Sequence, residues 1–424
     1  MNRIDPQSWK ADLPEFREKT TAFYAGDLDK MRFGIAYGAD AVYMAGTRFG
    51  MRAAATNFDD NALREGIAYA HAHGVKCYIT VNIMPSNRDL PALPAYLELL
   101  QDAGADALII ADVGVLRMAR RYAPKVPVHI STQTSILNHE AANYWADEGA
   151  ERIVLARELS LEEIAEIRAK TPKELEIEAF VHGAMCISYS GRCLISQYMT
   201  GRDANHGACA QPCRWNYSLM EEKRPGEFFP VEEDGRGTYL YNSKDMCMIE
   251  HVPELIEAGI TSFKIEGRNK TAYYAACVTG AYRAAIDTYK KDPENFVLPQ
   301  FCRDEVNKVS HREYYTGFYF GNQENGQHYG DSQYIREYEV VGMPVECDDS
   351  GKAVFALKNR FFDGEELELI QPGQAPYVFR AENVTDDEGT ERELFNVPQM
   401  RVHFAFPFKV SEWAILRKVK ERPE

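Results

Sequence analysis

Four of the nine cysteines in this 424-residue chain fall within 28 residues, and their spacing is the pattern most able to support chemistry. They are Cys186, Cys193, Cys209 and Cys213, in the order C-x6-C-x15-C-x3-C. Four thiolates are the usual protein ligands of a 4Fe–4S cluster, and they also hold structural zinc. Zinc sites favour tight cysteine pairs at both ends, which the six-residue spacer does not provide. The spacing therefore favours an iron–sulfur cluster, while zinc and ordinary structural cysteines stay as alternatives.

A nucleophilic cysteine is a further alternative in the same segment. A thiolate nucleophile needs a base within hydrogen-bond reach, and two histidines lie close in sequence. His182 precedes Cys186 by four residues, and His206 precedes Cys209 by three. Cys247 is near enough to serve as an alternative fourth ligand. Because four cysteines cluster here, metal ligation is favoured over one activated thiol.

A second group of polar residues lies near the ends of predicted strands. By the two-residue period of a strand, Glu178 and His182 share one face and should point into the protein near the mouth of a barrel. A buried carboxylate needs a partner, and the candidates are Arg157, Lys264 and Arg268. Those three cations could also clamp a small anionic substrate. Further polar residues at strand ends are Asn82, Asp112, Thr132, Gln133, Glu158 and Glu266.

Short apolar runs alternate with amphipathic helical stretches over the first two-thirds of the chain. Parallel strands need helical connections, so this alternation predicts βαβ units, and eight of them predict an α/β fold with a (β/α)8 TIM-like barrel over residues 1–300. The eight predicted strands cover 22–24, 41–44, 76–81, 107–111, 128–131, 152–155, 174–181 and 262–266. A Cys-rich insertion at 182–246 follows the seventh strand, on the face where barrel loops build active sites. Within it, 215–220 and 238–241 should pair as a hairpin.

The last part of the chain has a different pattern. Short aromatic and β-branched runs alternate with turn signals such as Asp363-Gly364, which predicts a small C-terminal antiparallel β domain over residues 301–424. The five predicted strands there are 337–342, 352–357, 366–370, 377–381 and 414–419.

Composition limits the classes of function. The chain carries 64 acidic and 48 basic residues, a net charge of −16, which argues against a uniformly basic nucleic-acid binder. Residues 182–225 and 401–424 are nevertheless net positive, so local phosphate contacts are allowed. No apolar run reaches the length of a membrane span and no signal peptide is visible, so we expect a cytoplasmic protein without a membrane partner.

Four motifs of the chain are specific enough to compare with known families. The longest runs from Glu178 to Ser196 and contains Cys186 and Cys193. The others are Tyr-Gly-Ala-Asp-Ala-Val-Tyr at 37–43, Phe-Lys-Ile-Glu-Gly-Arg at 263–268, and a Cys-x3-Cys-Arg element at 209–214. Together these motifs resemble the collagenase-like peptidase U-32 family. The resemblance covers the whole chain, including the C-terminal β domain.

This resemblance implies a barrel that holds a 4Fe–4S cluster on Cys186, Cys193, Cys209 and Cys213. Family members include RNA and ubiquinone hydroxylation proteins that work without dioxygen. The Thr-Gly-Phe-Tyr-Phe-Gly run at 316–321 and the added β domain are most similar to the branch that makes 5-hydroxyuridine at the tRNA wobble position, with prephenate as co-substrate. Prephenate is a dicarboxylate, which suits the proposed cationic clamp. The implied partners are tRNA, prephenate and, as an option, a related family subunit. A collagenase-like peptidase and a non-catalytic iron–sulfur scaffold that binds RNA or a partner are the competing hypotheses.

Overall fold

The computed structural model describes residues 20–50, 57–186, 188–190, 192–205, 208–215, 219–220, 228–229, 233–234, 237–238, 244–267, 270–321 and 334–420. The chain divides into two compact units. The first contains Asp40–Asn269 and Arg312–Tyr334 together with the N-terminal residues up to Met31. The second contains Arg32–Ala39, Lys270–His311 and Ile335–Glu424.

A closed barrel of eight parallel strands forms the first unit. Its strands are Thr20–Ala25 (β1), Ala41–Ala45 (β2), Lys76–Val81 (β3), Ala107–Ile110 (β4), Val128–Ile130 (β5), Arg152–Val154 (β6), Glu176–Ala184 (β7) and Ser262–Ile265 (β8). Each strand pairs in parallel with the next, and β8 pairs with both β7 and β1. Ser262 lies opposite both Thr20 and Glu178, which closes the ring. The predicted (β/α)8 fold is confirmed.

Helices follow the strands, as parallel pairing requires. They are Leu28–Ala36 (α1), Asp60–Ala72 (α2), Leu93–Asp102 (α3), Val113–Tyr122 (α4), His139–Asp147 (α5), Leu161–Ala169 (α6), Ile195–Thr200 (α7), Val252–Glu257 (α8), Ala272–Lys291 (α9) and Gln300–Asn307 (α10). Several begin at a side-chain cap that satisfies free backbone amides. Asp112 accepts from the Val115 amide, and Ser160 and Glu163 form a reciprocal capping box. No helix among the described residues is long and apolar enough to cross a bilayer.

Two short strands extend the sheet from β7. Asp245–Cys247 pairs antiparallel with β7, and Tyr314–Tyr315 pairs in parallel with Asp245–Cys247. The nearby 316–321 run is fastened to the barrel by Tyr319, whose hydroxyl donates to the Phe180 carbonyl at 2.5 Å. Tyr319 therefore holds the 316–321 segment against β7.

The hairpin predicted within the insertion is wrong for the described residues. Leu219–Met220 pairs with Phe228–Phe229, and Glu233–Asp234 pairs with Gly237–Thr238. Two pairings between near neighbours close shorter loops than one pairing across the insertion, which lowers the entropic cost of closure.

Seven antiparallel strands dominate the C-terminal part of the second unit. They are Tyr338–Cys347 (β9), Lys352–Leu357 (β10), Glu366–Ile370 (β11), Tyr377–Arg380 (β12), Thr385–Asp386 (β13), Arg401–Ala405 (β14) and Ile415–Val419 (β15), in the sheet order β12-β11-β15-β9-β10-β14-β13. Phe355, Phe361, Phe395 and Leu416 lie in its buried core. The predicted antiparallel β region is confirmed.

Arg417 anchors β15 inside the second unit. It is fully buried, and its guanidinium bonds Glu305 on α10 at 2.6 and 2.5 Å and Glu368 on β11 at 2.6 Å. Tyr273 on α9 also accepts from Arg417 at 3.1 Å. A buried cation is tolerated here because two carboxylates and a hydroxyl surround it.

Candidate active site at the barrel mouth

A charged network fills the floor of the barrel. Glu178 on β7 is 1% exposed and bonds three side chains: Lys264 at 2.5 Å, Arg152 at 2.9 Å and Ser262 at 2.8 Å. Arg152 also bonds Glu176 at 2.7 Å through Nε. Every oxygen of the buried carboxylate therefore has a partner, which is the condition for burying it.

Electrostatic interactions keep Glu178 and Lys264 ionised. Burial alone would raise the pKa of Glu178, but the cations of Lys264 and Arg152 outweigh burial and hold the pKa at about 2. Burial lowers the pKa of Lys264, opposed by the adjacent Glu178 carboxylate. Burial and then the Arg152 charge hold the pKa of His129 well below its usual value, so this neighbour is neutral. The floor is thus a fixed charge arrangement at neutral pH.

A cavity opens above this network, at the carboxyl ends of the strands. Its space, counted out to open solvent, is about 570 Å³. Lys264, Arg157 and Glu266 supply its charged groups, and Tyr43 and Phe180 supply aromatic walls. Four residues of the predicted polar group also line it: Asn82, Thr132, Gln133 and Glu266. Asp112 instead caps α4.

Arg157 is the unusual cation of the cavity. It is 7% exposed, its Nη1 donates to the Ala184 carbonyl at 3.1 Å, and its guanidinium lies 5.2 Å from the centre of the Phe180 ring. Within the described part of the chain, no carboxylate forms an ion pair with it. Buried charges are normally paired, so an arginine of this kind facing a cavity suits an anionic ligand.

Lys264 presents its ammonium group between the floor and the cavity. Its Nζ lies 3.7 Å from the centre of the Tyr43 ring, and the Tyr43 hydroxyl donates to the Ile265 carbonyl at 3.1 Å. The ring is thus fixed beneath the ammonium, where a cation–π contact adds to the Glu178 ion pair. These contacts position Lys264 rigidly at the cavity wall.

The cysteine-containing segment is attached to this mouth. Asn205 donates to the Met84 carbonyl and accepts from the Met84 amide, both at 3.2 Å. Arg192 donates to the carbonyl of Gln133, a cavity residue, at 3.4 Å. Ser190, between the first two cysteines of the cluster, lines the cavity itself. Hydrogen bonds on both sides of Cys193 therefore hold this segment at the cavity.

The four clustered cysteines have access to solvent. Cys186 and Cys209 are exposed, Cys193 and Cys213 are partly exposed, and none forms a disulfide. The Gln211 amide donates to the Cys209 sulfur at 3.4 Å, a contact of the type that stabilises anionic sulfur. Among the described residues, no group of three His, Cys, Asp or Glu side chains is arranged to hold a metal ion. Soft thiolates fit an iron–sulfur cluster by donor chemistry, and ligation would require the segment to draw its sulfurs together.

His182 lies beside β8 rather than among the described cavity-lining residues. It is 1% exposed, and its Nε2 is 3.3 Å from the Tyr314 hydroxyl. Cys247, the alternative ligand, is opposite His182 in the antiparallel pairing. The structure therefore brings Glu178, Lys264 and Arg157 to the floor and wall of one cavity and places His182 against Tyr314. Arg268, the remaining predicted cation, and His206 lie outside the described residues.

Sequence reasoning missed two members of this site. Arg152 begins β6, and its place at the edge of an apolar run predicts a solvent-facing residue. In the structure it is only 2% exposed. Tyr43 reads as an ordinary buried aromatic. The positions of these two residues in the fold could have indicated their role. Tyr43 and Lys264 lie on the two strands that neighbour β1, and Arg152 lies two residues before Val154, which lines the cavity.

Comparison with known proteins gives consistent matches. The model of peptidase family U32 matches residues 26–329, and that of the U32 C-terminal domain matches residues 336–417. The chain is 38% identical to "tRNA hydroxylation protein P1" of Bacillus subtilis, over 93% of this chain and 94% of that protein. It is 37% identical to "tRNA hydroxylation protein P" of Escherichia coli, over 86% and 88%. It is also 38% identical to the "23S rRNA 5-hydroxycytidine C2501 synthase" of Escherichia coli, over 76% of this chain and 47% of that one.

Proposed function

Because this chain belongs to peptidase family U32, we propose that it is a tRNA-modifying enzyme that hydroxylates the wobble uridine to 5-hydroxyuridine without dioxygen. The observation that carries the proposal is the buried Arg157, which faces a cavity beside the cysteine segment without a carboxylate partner in the described chain. Similarity to tRNA hydroxylation proteins over most of both chains supports the choice of substrate.

The proposed cofactor is a 4Fe–4S cluster held by Cys186, Cys193, Cys209 and Cys213. When bound, it would supply redox chemistry and a place to hold or activate the oxygen donor. Its proposed position follows from Ser190, which lines the cavity between two of these cysteines.

The proposed co-substrate is prephenate, a dicarboxylate. Arg157 offers a planar guanidinium fork that suits a carboxylate, and Lys264 offers a second cation already oriented by Glu178 and Tyr43. Arg268 is the third proposed cation of this clamp. Glu266 would place one negative charge opposite them and fix the orientation of the bound acid.

The base must reach this cavity outside its stack, because an enzyme acting on a base cannot work within stacked nucleotides. Tyr43 and Phe180 provide aromatic walls against which a planar ring could pack, and Asn82 and Gln133 provide amides for its polar edge. In this arrangement Glu178 is a positioning residue: it orients Lys264 without contacting the substrate.

Nucleoside mass spectrometry of tRNA tests this proposal. We expect 5-hydroxyuridine to disappear in a strain that lacks the gene and every redundant pathway, and to return with the wild-type gene. Anaerobically purified protein should contain about four iron and four sulfide per chain, as expected for a 4Fe–4S cluster. Unchanged 5-hydroxyuridine would eliminate the hydroxylase. Peptide hydrolysis by the purified protein, retained in Cys193→Ala, would favour the peptidase, and a cluster-bearing protein that binds tRNA without modifying it would be a scaffold.

A further inference from the structure

A basic groove lies on the antiparallel sheet of the second unit, within residues 335–420. One wall is the Lys358–Arg360 turn after β10, and the other is Asn396–Pro398 before β14. Lys420, just after β15, adds a further cation, and the groove encloses about 1000 Å³ counting space open to solvent. It is therefore wide and open, unlike the barrel cavity.

The charge of the groove is opposite to that of its surroundings. Residues 346–395 contain 13 acidic and 5 basic side chains. Three other surface cations of this β region have carboxylate partners: Arg392 bonds Asp386, Arg401 bonds Glu346 and Lys409 bonds Asp349, each at 2.6 Å. These pairs leave little net positive charge on the rest of the sheet.

Within the described part of the chain, Lys358 and Lys420 form no ion pair, and both are exposed. Among the described residues that line the groove, Glu339 is the only carboxylate, and it lies 3.8 Å from the Lys418 ammonium. The described groove therefore presents Lys358, Lys420 and, beside them, Arg360, which has contacts of its own, against one carboxylate that another lysine already neutralises in part.

Hydrogen bonds hold the backbone of the segments that carry these cations. The Lys358 amide donates to the Val341 carbonyl at 2.8 Å, and the Asn359 side chain donates to the Val340 carbonyl at 2.8 Å. Lys420 is held through its own amide, which donates to the Glu337 carbonyl. The backbone of the groove is preformed, so a ligand would have to order only the exposed side chains.

We propose that this groove binds the phosphodiester backbone of the RNA substrate, an inference that rests on the proposed function. An open groove with exposed Lys and Arg side chains is typical of phosphate contacts that position RNA without reading its sequence. Asn396 adds a polar amide, and Val397, which is 51% exposed, adds an apolar surface for a sugar or base face. Three cations allow up to three phosphate contacts.

Binding of an unmodified tRNA transcript to the full-length protein tests the proposal. The variant is the triple substitution Lys358→Ala, Arg360→Ala and Lys420→Ala, with fluorescence anisotropy measured over a range of salt concentrations. Each lost phosphate contact should reduce the slope of log K against log salt by about 1, so we expect a slope smaller by about 2–3 and affinity at least roughly tenfold weaker at physiological salt.

A matched control removes the same charge outside the groove: Lys352→Ala, Arg401→Ala and Lys409→Ala. We expect affinity within about threefold of wild type, because Arg401 and Lys409 are already neutralised by ion pairs. Lys358→Glu alone should also weaken binding. This single variant tests the groove even if the triple variant fails to fold.

The outcomes separate the two proposals. Wild-type protein that binds tRNA no better than the groove variant would overturn the groove and leave the hydroxylase intact. Equal losses in the groove variant and the control would also overturn it, because the effect would then be net charge alone. Wild-type protein without any tRNA affinity would overturn both. Binding of poly-L-glutamate as tight as that of the transcript would point to an acidic protein partner instead.

Discussion

At the floor of the barrel, Glu178 connects stability to the arrangement of the cavity. Its carboxylate accepts from Lys264, Arg152 and Ser262, so one buried anion fixes two cations on two strands. Removing the charge while keeping the shape would leave two buried cations with less compensation. The first measurable consequence should be a lower free energy of unfolding.

Glu178→Gln should destabilise the fold by about 3–5 kcal/mol, because it breaks a buried ion pair and leaves a cation uncompensated. Denaturant unfolding measures the change. The matched control is Glu176→Gln, which also removes a partner of Arg152 but has a side chain 48% exposed, so its cost should stay below about 1 kcal/mol. Equal effects of the two substitutions would refute this account of the floor.

The same carboxylate predicts a pH dependence. The folded pKa of Glu178 is about 2, whereas an unfolded glutamate titrates near 4.3. A depressed folded pKa contributes stability that is fully present above the unfolded value and is lost as pH falls toward the folded one. The difference in unfolding free energy between wild type and Glu178→Gln should therefore be constant from pH 5 to 7 and shrink below about pH 4.3. A difference that stays unchanged down to pH 2.5 would contradict the ionised pair.

At the scale of elements, hydrogen bonds to Met84 and Gln133 connect the described part of the cysteine segment to the barrel. Asn205 makes two hydrogen bonds to the backbone of Met84, and Arg192 bonds the Gln133 carbonyl and the Met84 sulfur. An exposed segment connected through such side-chain bonds should open locally when they are removed. The segment's attachment is thus separable from the stability of the barrel.

Asn205→Ala should speed amide hydrogen exchange several-fold over residues 192–205, with little change in β3 or β7, because the substitution removes both bonds to Met84. Hydrogen–deuterium exchange with mass spectrometry gives the comparison. Asn143→Ala, which removes a bond from α5 to the Lys170 carbonyl, is the control and should leave 192–205 unchanged. Unaltered exchange in Asn205→Ala would mean that other contacts hold the segment.

The elements also show what the sequence could predict. Strands β3 and β10 coincide with the predicted 76–81 and 352–357, because buried strands form short apolar runs that the sequence displays. Asp245–Cys247 and Tyr314–Tyr315 were missed because two or three residues cannot display a period. Arg152 was missed because a charge at a strand end looks exposed until its partners, distant in sequence, are known.

At the scale of the whole molecule, the chain has a net charge of −16 and yet contains two basic sites that are built differently. The barrel cavity contains buried cations, which we propose bind a small acid, and the groove on the second unit contains exposed cations, which we propose bind RNA. A small dicarboxylate requires a few fixed contacts, whereas RNA phosphates are met by solvated charges whose strength depends on salt. One acidic chain can therefore have sites for both kinds of anion.

The most direct test of the central claim is the amount of 5-hydroxyuridine in tRNA from a strain that otherwise lacks this nucleoside, complemented with wild-type or Arg157→Ala protein at equal levels. Arg120→Ala, which removes an exposed cation from α4, is the control. If the barrel cavity performs the hydroxylation, wild type and Arg120→Ala will restore the nucleoside, and Arg157→Ala will restore less than about a tenth of it, in keeping with the loss of a buried charge-assisted contact. Full restoration by Arg157→Ala would contradict the account.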